Sequence, residues 1–470
     1  MTMRFTMMSA VALALLAGCS MAPEYRAPVT QAPAQFKEMP AGWTSATPMD
    51  GVDRGAWWSV FADPALDDLE KRGDAASPTL AAALARYDQA RASARIAGSA
   101  LYPEVGVGGS AARDRVSAGR PQSSGSAATY NDFIVGGSLD YEIDLWGRIR
   151  NGVKAADAEA AASAADLALA RLSLQASVAD AYFRLRGLDA QAALLRETVD
   201  AFSRAYDLTS TRHDGGIVSG IDVNRSRTVL YEARAQLSAV ANERAATEHE
   251  IAALIGATAS DFSLAPLEGV PDAPQPSVGA PSELLQRRPD IAAAERRMFG
   301  ANARIGVAKA AFFPSLTLGL SGGYRTTHGE LLTSPNSFWG LGPLSSLLTL
   351  FDGGRRNAQV KLSRGEYDEI AAGYRETVLT AFREVEDALA ADRYLATQVA
   401  DQQESAGAAG RTRELALTRY RDGASDYLQV VLAQTDALSA ERTLLDLRTQ
   451  RLRASVALFR AMGGGYTPAG

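Results

Sequence analysis

Hydrophobic positions along the chain change their period at two places, in the same order each time. From Pro289 the sequence PDIAAAERRMFGANARIGVAKAAFFPSLTLGLSGG reads first as an Ala-rich helix, then past Phe313-Pro314 as a strand with Leu316, Leu318 and Leu320 on one face. The same switch stands near the N-terminus. Pro78 opens a helical run through Leu84, Tyr87 and Ile96 that ends at Tyr102-Pro103 and continues as Val105, Val107 and Gly109. The opening and closing prolines are 25 residues apart in both copies. Proline suits both places, since a helix tolerates it in the first turn and cannot continue through it at the end.

A return strand follows in each copy. In the first, Phe133, Val135, Gly137, Leu139, Tyr141 and Ile143 alternate with Ile134, Gly136, Ser138, Asp140, Glu142 and Asp144, which gives one apolar face and one small, acidic face. The apolar face fits either a soluble sandwich core or the lipid side of a membrane barrel whose acidic side lines the lumen. Past Trp146-Gly147-Arg148 a helix of roughly sixty residues, on the order of 90 Å, extends to about Arg212. Leu174, Val178, Ala181, Leu185, Leu188, Ala192, Leu195, Val199, Phe202 and Tyr206 step along it by fours and threes, a coiled-coil seam. His213-Asp214-Gly215-Gly216 breaks it, and another helix runs from about Ser219 to Ile255, with Gly256 as its C-cap.

The second copy has a return strand from Trp339 to Phe351, a long helix from Asn357 to about Tyr420, a tip at Asp422-Gly423 and a closing helix from Ser425 to Met462. The offset between copies stays near about 207 residues, so the chain reads as a tandem repeat of strand hairpin plus helical hairpin. The expected organisation is a signal peptide at 1–18, a lipidated Pro-rich tether at 19–56, a first repeat at 57–256 with strands near 102–114 and 129–145, a linker at 257–280, and a second repeat at 281–470 with strands near 314–325 and 338–351. Asp63-Pro64 reads as a helix cap with Pro in the first turn.

Composition narrows the chemistry. The 470 residues carry a formal net charge of -6 and no run of five basic residues, so nucleic acid is not expected as a partner. Three histidines and one cysteine argue against zinc, haem or iron-sulfur sites. Gly319-Leu320-Ser321-Gly322-Gly323, with His328 close by, fits the Gly-x-Ser-x-Gly pattern, but a polar loop follows where a nucleophile elbow needs a helix. His213 and His249 read as isolated surface residues. No catalytic group, metal or cofactor is expected.

The lone cysteine has a different use. Met1 to Ala17 carries one positive charge, Arg4, and an apolar run from Met7 too short to span a bilayer, which is a secretory signal. Leu16-Ala17-Gly18-Cys19 resembles the bacterial lipoprotein box, which implies cleavage before Cys19 and its acylation, and Ser20 after it implies sorting to an outer membrane.

Four strands with lipid-type alternation cannot close a barrel, because the smallest membrane barrels need about eight, and an open edge in a bilayer leaves backbone groups unpaired. Several copies must share one barrel. Two would give eight strands with a filled interior and three would give twelve with a lumen. The chain closely resembles the bacterial outer-membrane efflux proteins, the TolC-like outer-membrane factors of tripartite pumps, in their lipoprotein branch. The residues that carry the resemblance are Cys19 in its box, Trp57-Trp58 with Phe61, Asp63, Pro64 and Leu66, Arg287-Arg288-Pro289-Asp290-Ile291, Ala310-Ala311-Phe312-Phe313-Pro314, and the duplication.

The resemblance implies a mainly α fold with a membrane β-barrel. The homotrimer would have a twelve-stranded barrel in the outer membrane and a twelve-helix periplasmic tunnel. Such a protein is not an enzyme. It is a passive exit duct for small molecules, working with a periplasmic adaptor protein and an inner-membrane transporter of the RND type. Adaptor contacts are expected at Arg212, Gly216, Val218 and Ser219 in the first hairpin turn, and at Arg421, Gly423, Ala424 and Ser425 in the second. The constriction is expected at Leu428, Gln429 and Leu432, with Leu432 standing where lipoprotein relatives often carry Asp, and with Asp426 near the tip. Tyr420, Arg421 and Asp422 are expected to make the hydrogen bonds that hold the mouth shut. Alternative readings are the outer-membrane component of a secretion system, or a periplasmic coiled-coil adaptor lipoprotein.

Overall fold

The structure, a computed structural model, describes residues 20–26, 36–38, 55–119, 121, 125–267, 269–274, 288–327, 330–332 and 334–464. Cys19, Arg287 and His328, named above, lie outside these. In chain order the main elements are α1 (Pro64–Ala76), α2 (Pro78–Ser99), β1 (Glu104–Val116), β2 (Ala128–Glu142), α3 (Arg148–Asp214), α4 (Gly220–Leu254), α5 (Pro289–Ala310), β3 (Ser315–Thr326), β4 (Ser337–Leu347), α6 (Arg355–Arg421) and α7 (Tyr427–Ala461). The duplication is plain in the lengths. α2 and α5 have 22 residues each, α3 and α6 have 67 each, and α4 and α7 have 35 each. The repeats do not fold apart. Two compact units form, one from Met1–Val29, Arg86–Ala164 and Ala293–Tyr374, the other from Thr30–Ala85, Ala165–Ala292 and Arg375–Gly470, so each draws on both copies.

The first unit holds one antiparallel sheet in the order β1-β2-β3-β4. Its register aligns the apolar positions of all four strands. Val107 faces Gly137, Leu139 faces both Val105 and Leu320, Tyr141 faces Leu318, Val135 faces Tyr324, and Leu320 faces Leu341. Because side chains alternate with a period of two, these residues share one face, while Asp140, Ser138, Ser321 and Thr317 share the other. Val107, Trp339, Leu341 and Leu344 are at least 67% exposed, so nothing among the described residues covers the apolar face. β4 ends at Leu347, four residues short of the expected Phe351. Leu347 pairs with Ser315, the first residue of β3, and the residue before that is Pro314, which has no amide hydrogen to extend the ladder. A register shift between Leu318 and Leu320 lies opposite Gly342-Pro343.

The second unit is helical, and its core explains two of the sequence motifs. Trp57 stacks on Phe459 at 5.6 Å and its indole N–H donates to Gln175 Oε1 at 3.2 Å; Phe61 packs on Phe183 at 4.7 Å. Asp63 caps α1, accepting from the Ala65 and Leu66 amides, and also accepts the Tyr182 hydroxyl at 2.5 Å. Arg288 ties three helices together. It donates to Asp290 at the start of α5, to Glu384 of α6 at 2.6 Å, and to the Ala461 carbonyl that ends α7 at 3.1 Å.

Sequence reasoning gave no sign of Glu70. Its side chain lies on the buried side of α1, 1% exposed, and Oε1 has no hydrogen-bond partner among the described residues. Burial, reinforced by the carboxylates of Asp74 and Asp67, pushes its pKa up to about 9. The unfolded chain releases this proton near pH ~4.3 whereas the native state keeps it, so native stability falls as pH rises between those values. At pH 7 the accumulated cost is about 4 kcal/mol, at about 1.4 kcal/mol per unit. Glu70→Gln is expected to melt with the wild type near pH 4 and well above it at pH 8 to 9. Parallel melting curves across that range would refute the assignment.

Candidate functional site

The expected site residues fall on the two hairpin turns of the helical unit. In the first, α3 closes with the Gly216 amide donating to His213 O at 2.7 Å and the Ile217 amide to Arg212 O at 2.8 Å. Gly216 takes φ +75°, a conformation costly for any residue with a Cβ. His213 is exposed, and its Nδ1 lies 2.9 Å from Val218 O, across the turn. Ser219 donates to Asp222 at 3.1 Å. Gly216 and Ser219 are exposed, and Arg212 and Val218 half-buried.

The second turn repeats this geometry with Gly423 at φ +74° and the Ala424 amide on Arg419 O at 2.8 Å. Asp426 is the N-cap of α7 and accepts the Gln429 amide at 3.2 Å. Arg421, Asp422, Gly423 and Ala424 are exposed and Ser425 is half-buried.

One side chain joins the two turns. Arg212 donates from Nη1 to Tyr420 O at 3.3 Å and from Nη2 to Arg421 O at 3.4 Å, and its guanidinium lies 4.7 Å from the centroid of the Tyr420 ring. Tyr420 and Arg421 thus take part through their carbonyls. The Tyr420 hydroxyl is buried without a partner among the described residues. Tyr420 meets Tyr427 edge-on at 5.3 Å above Val430, and burial pushes the Tyr427 phenol up to about 12. Asp422 has no side-chain partner among the described residues.

α7 presents two faces here. Tyr427, Val430, Ala433 and Gln434 are buried, whereas Leu428, Gln429 and Leu432 are exposed, with Leu432 at 53%. A one-turn spacing stacks Leu428 and Leu432 on one another along the exposed side. Ile217 and Ile221 of the first turn are also exposed, at 73% and 63%. Sequence reading passed over them, although an apolar residue directly after a Gly-Gly break was the signal available.

In the first unit the residues that follow Cys19 are seated along α3 and α5. Ser20 donates to Asn151 at 3.0 Å, Asn302 donates to Pro23 O at 2.9 Å, and Tyr25 donates to Glu295 at 2.7 Å while its ring meets Phe299 edge-on. Gly306 leaves the space that Ala22 occupies, since a Cβ there would stand 2.7 Å from the Ala22 amide nitrogen. The segment is therefore pinned one residue after the cysteine.

The model of the outer membrane efflux protein family matches residues 74–257 and 280–464. The chain belongs to this family. It is 33% identical over 460 residues to the antibiotic efflux pump outer membrane protein ArpC of Pseudomonas putida, covering 97% of this chain and 95% of that one. Among solved structures, the outer-membrane channel OprN superposes with a TM-score of 0.87 at 29% identity, covering 95% of this chain and 99% of that one. The open state of the MtrE outer membrane channel of Neisseria gonorrhoeae superposes with a TM-score of 0.82 at 28% identity, covering 95% and 98%. As an outer membrane efflux protein, the chain is a non-enzymatic channel of the bacterial outer membrane that extends into the periplasm, and a component of an efflux pump. The long helical hairpins and two strand hairpins described above match the fold of these solved channels.

Proposed function

We propose that three copies of this chain assemble into one conduit, anchored by a lipid on Cys19. The conduit carries small molecules from the periplasm outward, together with a periplasmic adaptor and an RND-type inner-membrane transporter. The observation that carries the reading is the sheet, which has an uncovered apolar face and two outer strands, β1 and β4, with no further strand beyond them among the described residues. In a bilayer those edges require partners, and twelve strands are the smallest multiple of four that leaves a lumen. The pinned segment after Cys19 supports the anchor. The name of the ArpC relative supports small-molecule cargo.

The adaptor takes the exposed turns at Gly216, Val218, Ser219, Gly423, Ala424 and Ser425. Leu428 and Leu432 form an apolar collar with Gln429, and Asp426 fixes the start of its helix. Arg212, bridging to Tyr420 and Arg421 beside Asp422, holds the mouth closed. Arg212→Ala removes two hydrogen bonds to carbonyls and a cation-π contact, together on the order of 2 kcal/mol, and is expected to raise single-channel conductance in planar lipid films several-fold. A detergent-solubilised protein that is monomeric by native mass and silent in such films, with Arg212 intact or replaced, would overturn the conduit reading.

A further inference from the structure

The duplication provides a template for how one copy docks on the next. Arg148 and Arg355 open the two long helices 207 residues apart, and Gly220 and Tyr427 open the two closing helices at the same interval. Within the chain, α7 of the second repeat packs antiparallel on α3 of the first. Arg453 grips Asp180 with both guanidinium branches at 2.7 and 3.0 Å, Asp446 bonds Gln191, and Leu438 enters a cluster with Leu188, Ala192, Leu195 and Val240. The corresponding contact of the first repeat would be α4 on α6; among the described residues α4 is instead bonded to α3, through Arg244 and Asp189, and to α7, through Arg442 and Gln236. The two halves of that contact are present and more exposed than those of the α7–α3 contact, with Gln402 donating to the Ala440 carbonyl of α7 at 2.9 Å. Tyr231 of α4 stands where Leu438 stands in α7, yet it is 52% exposed while Leu438 is 8% exposed. Leu395, Val399 and Gln402 of α6 stand where Leu188, Ala192 and Leu195 stand in α3, and they are half-exposed while those three are buried.

We infer that the α4 face centred on Tyr231 is the seat of a second copy's α6, with Tyr231 entering the niche of Leu395, Val399 and Gln402. This rests on the trimer reading and adds the residues and the polarity of the contact. Charge complementarity supports it. Arg227 and Arg234 lie 5.7 and 5.2 Å from the Tyr231 ring centroid, both exposed and without an ion pair among the described residues. Asp401 and Glu404 of α6 are exposed and likewise unpaired among them. The antiparallel match seen for Asp180 with Arg453 and Gln191 with Asp446 brings Asp401 and Glu404 of the next copy level with the stretch from Arg227 to Arg234. Opposite charges thus face each other across an apolar centre, an arrangement that fixes register and rejects wrong partners. The surface on one copy differs from the surface it meets on the next, so the contact runs head-to-tail, and three of them form a ring when the rotation between copies is a third of a turn.

The test uses the full-length chain in detergent and in membranes. Tyr231→Cys with Gln402→Cys, in a Cys19→Ser background, is expected to give covalent dimers and trimers on oxidation, and neither single cysteine is expected to do so. Arg227→Glu with Arg234→Glu is expected to weaken assembly by about tenfold, and adding Asp401→Arg with Glu404→Arg to restore it. A protein that is trimeric by native mass but neither cross-links nor shows charge-swap rescue would overturn this interface and leave the trimer standing. A monomeric wild type would remove both.

Discussion

Asp189→Ala is expected to cost the helical unit about 3 to 5 kcal/mol, the range for removing one partner from a buried ion pair. The Asp189 side chain is 1% exposed and accepts from Arg186 Nη1 at 3.0 Å, from Arg244 Nε at 2.6 Å and from the Leu267 amide at 3.2 Å. The same two arginines hold the chain after α4, with Arg186 donating to Ala265 O at 2.8 Å and Arg244 to Leu264 O at 2.7 Å, while Glu248 accepts the Leu264 amide at 2.6 Å. Loss of the carboxylate leaves the Arg186 guanidinium, only 5% exposed, without its anion, and frees the segment that leads into the second repeat. A useful comparison is Asp180→Ala. Its pair with Arg453 is bidentate, but the two side chains are 35% and 40% exposed, so solvent limits the loss to about 1 kcal/mol. Denaturant unfolding monitored by circular dichroism should separate the two variants clearly. Equal midpoints would mean that the Asp189 cluster contributes specificity without stability.

How much of this was legible in the sequence depends on the range of each interaction. The strands and long helices were visible because their periods are local. Pro103 and Pro314 mark where each helix gives way, and Gly216, Gly256 and Gly423 all take the positive φ that ends a helix. The apolar faces were also readable, because alternation along one strand already sorts side chains into two sides. What no local pattern carries is the partner of a residue a hundred or more positions away. Arg212 was readable as a turn residue expected to meet an adaptor, but nothing local shows that its guanidinium reaches the Tyr420 and Arg421 carbonyls, in the other repeat. Tyr25 gave no sign that Glu295 would receive its hydroxyl, and burial together with that carboxylate pushes its phenol well above the usual range. Glu70 sits among charged neighbours in a sequence, PALDDLEKRGDAA, that reads as a solvated helix; only packing shows which carboxylate is turned inward. The Arg-Pro-Asp-Ile stretch was recognisable as a pattern, but its reason, Arg288 reaching α6 and the end of α7, is tertiary.

The second large effect is expected in the sheet, where Gly323→Val should prevent β2 and β3 from pairing. Gly136 faces Gly323 and Gly137 faces Gly322 at the centre of this pair, so four glycines meet where two strands cross closest. A Cβ added at Gly323 would collide with the Val135 carbonyl oxygen and the Gly136 Cα, and one added at Gly136 would stand 2.8 Å from the Gly322 carbonyl oxygen. These obstacles are backbone atoms held by the ladder, so no side-chain rotation relieves them, and the cost exceeds the roughly 1 to 3 kcal/mol usual for overpacking a core. β2 and β3 come from different repeats, so this is also the only pairing among the described strands that joins the two hairpins into one sheet. Two separate hairpins would each expose new edges to lipid, which a bilayer does not tolerate. The variant should therefore be lost from the outer-membrane fraction and give no conductance. Gly108→Ala, at a strand position where an added Cβ meets nothing within 4 Å, should insert and conduct like the wild type. If Gly323→Val reached the membrane as well as Gly108→Ala, the close approach of β2 and β3 would not govern assembly of the sheet.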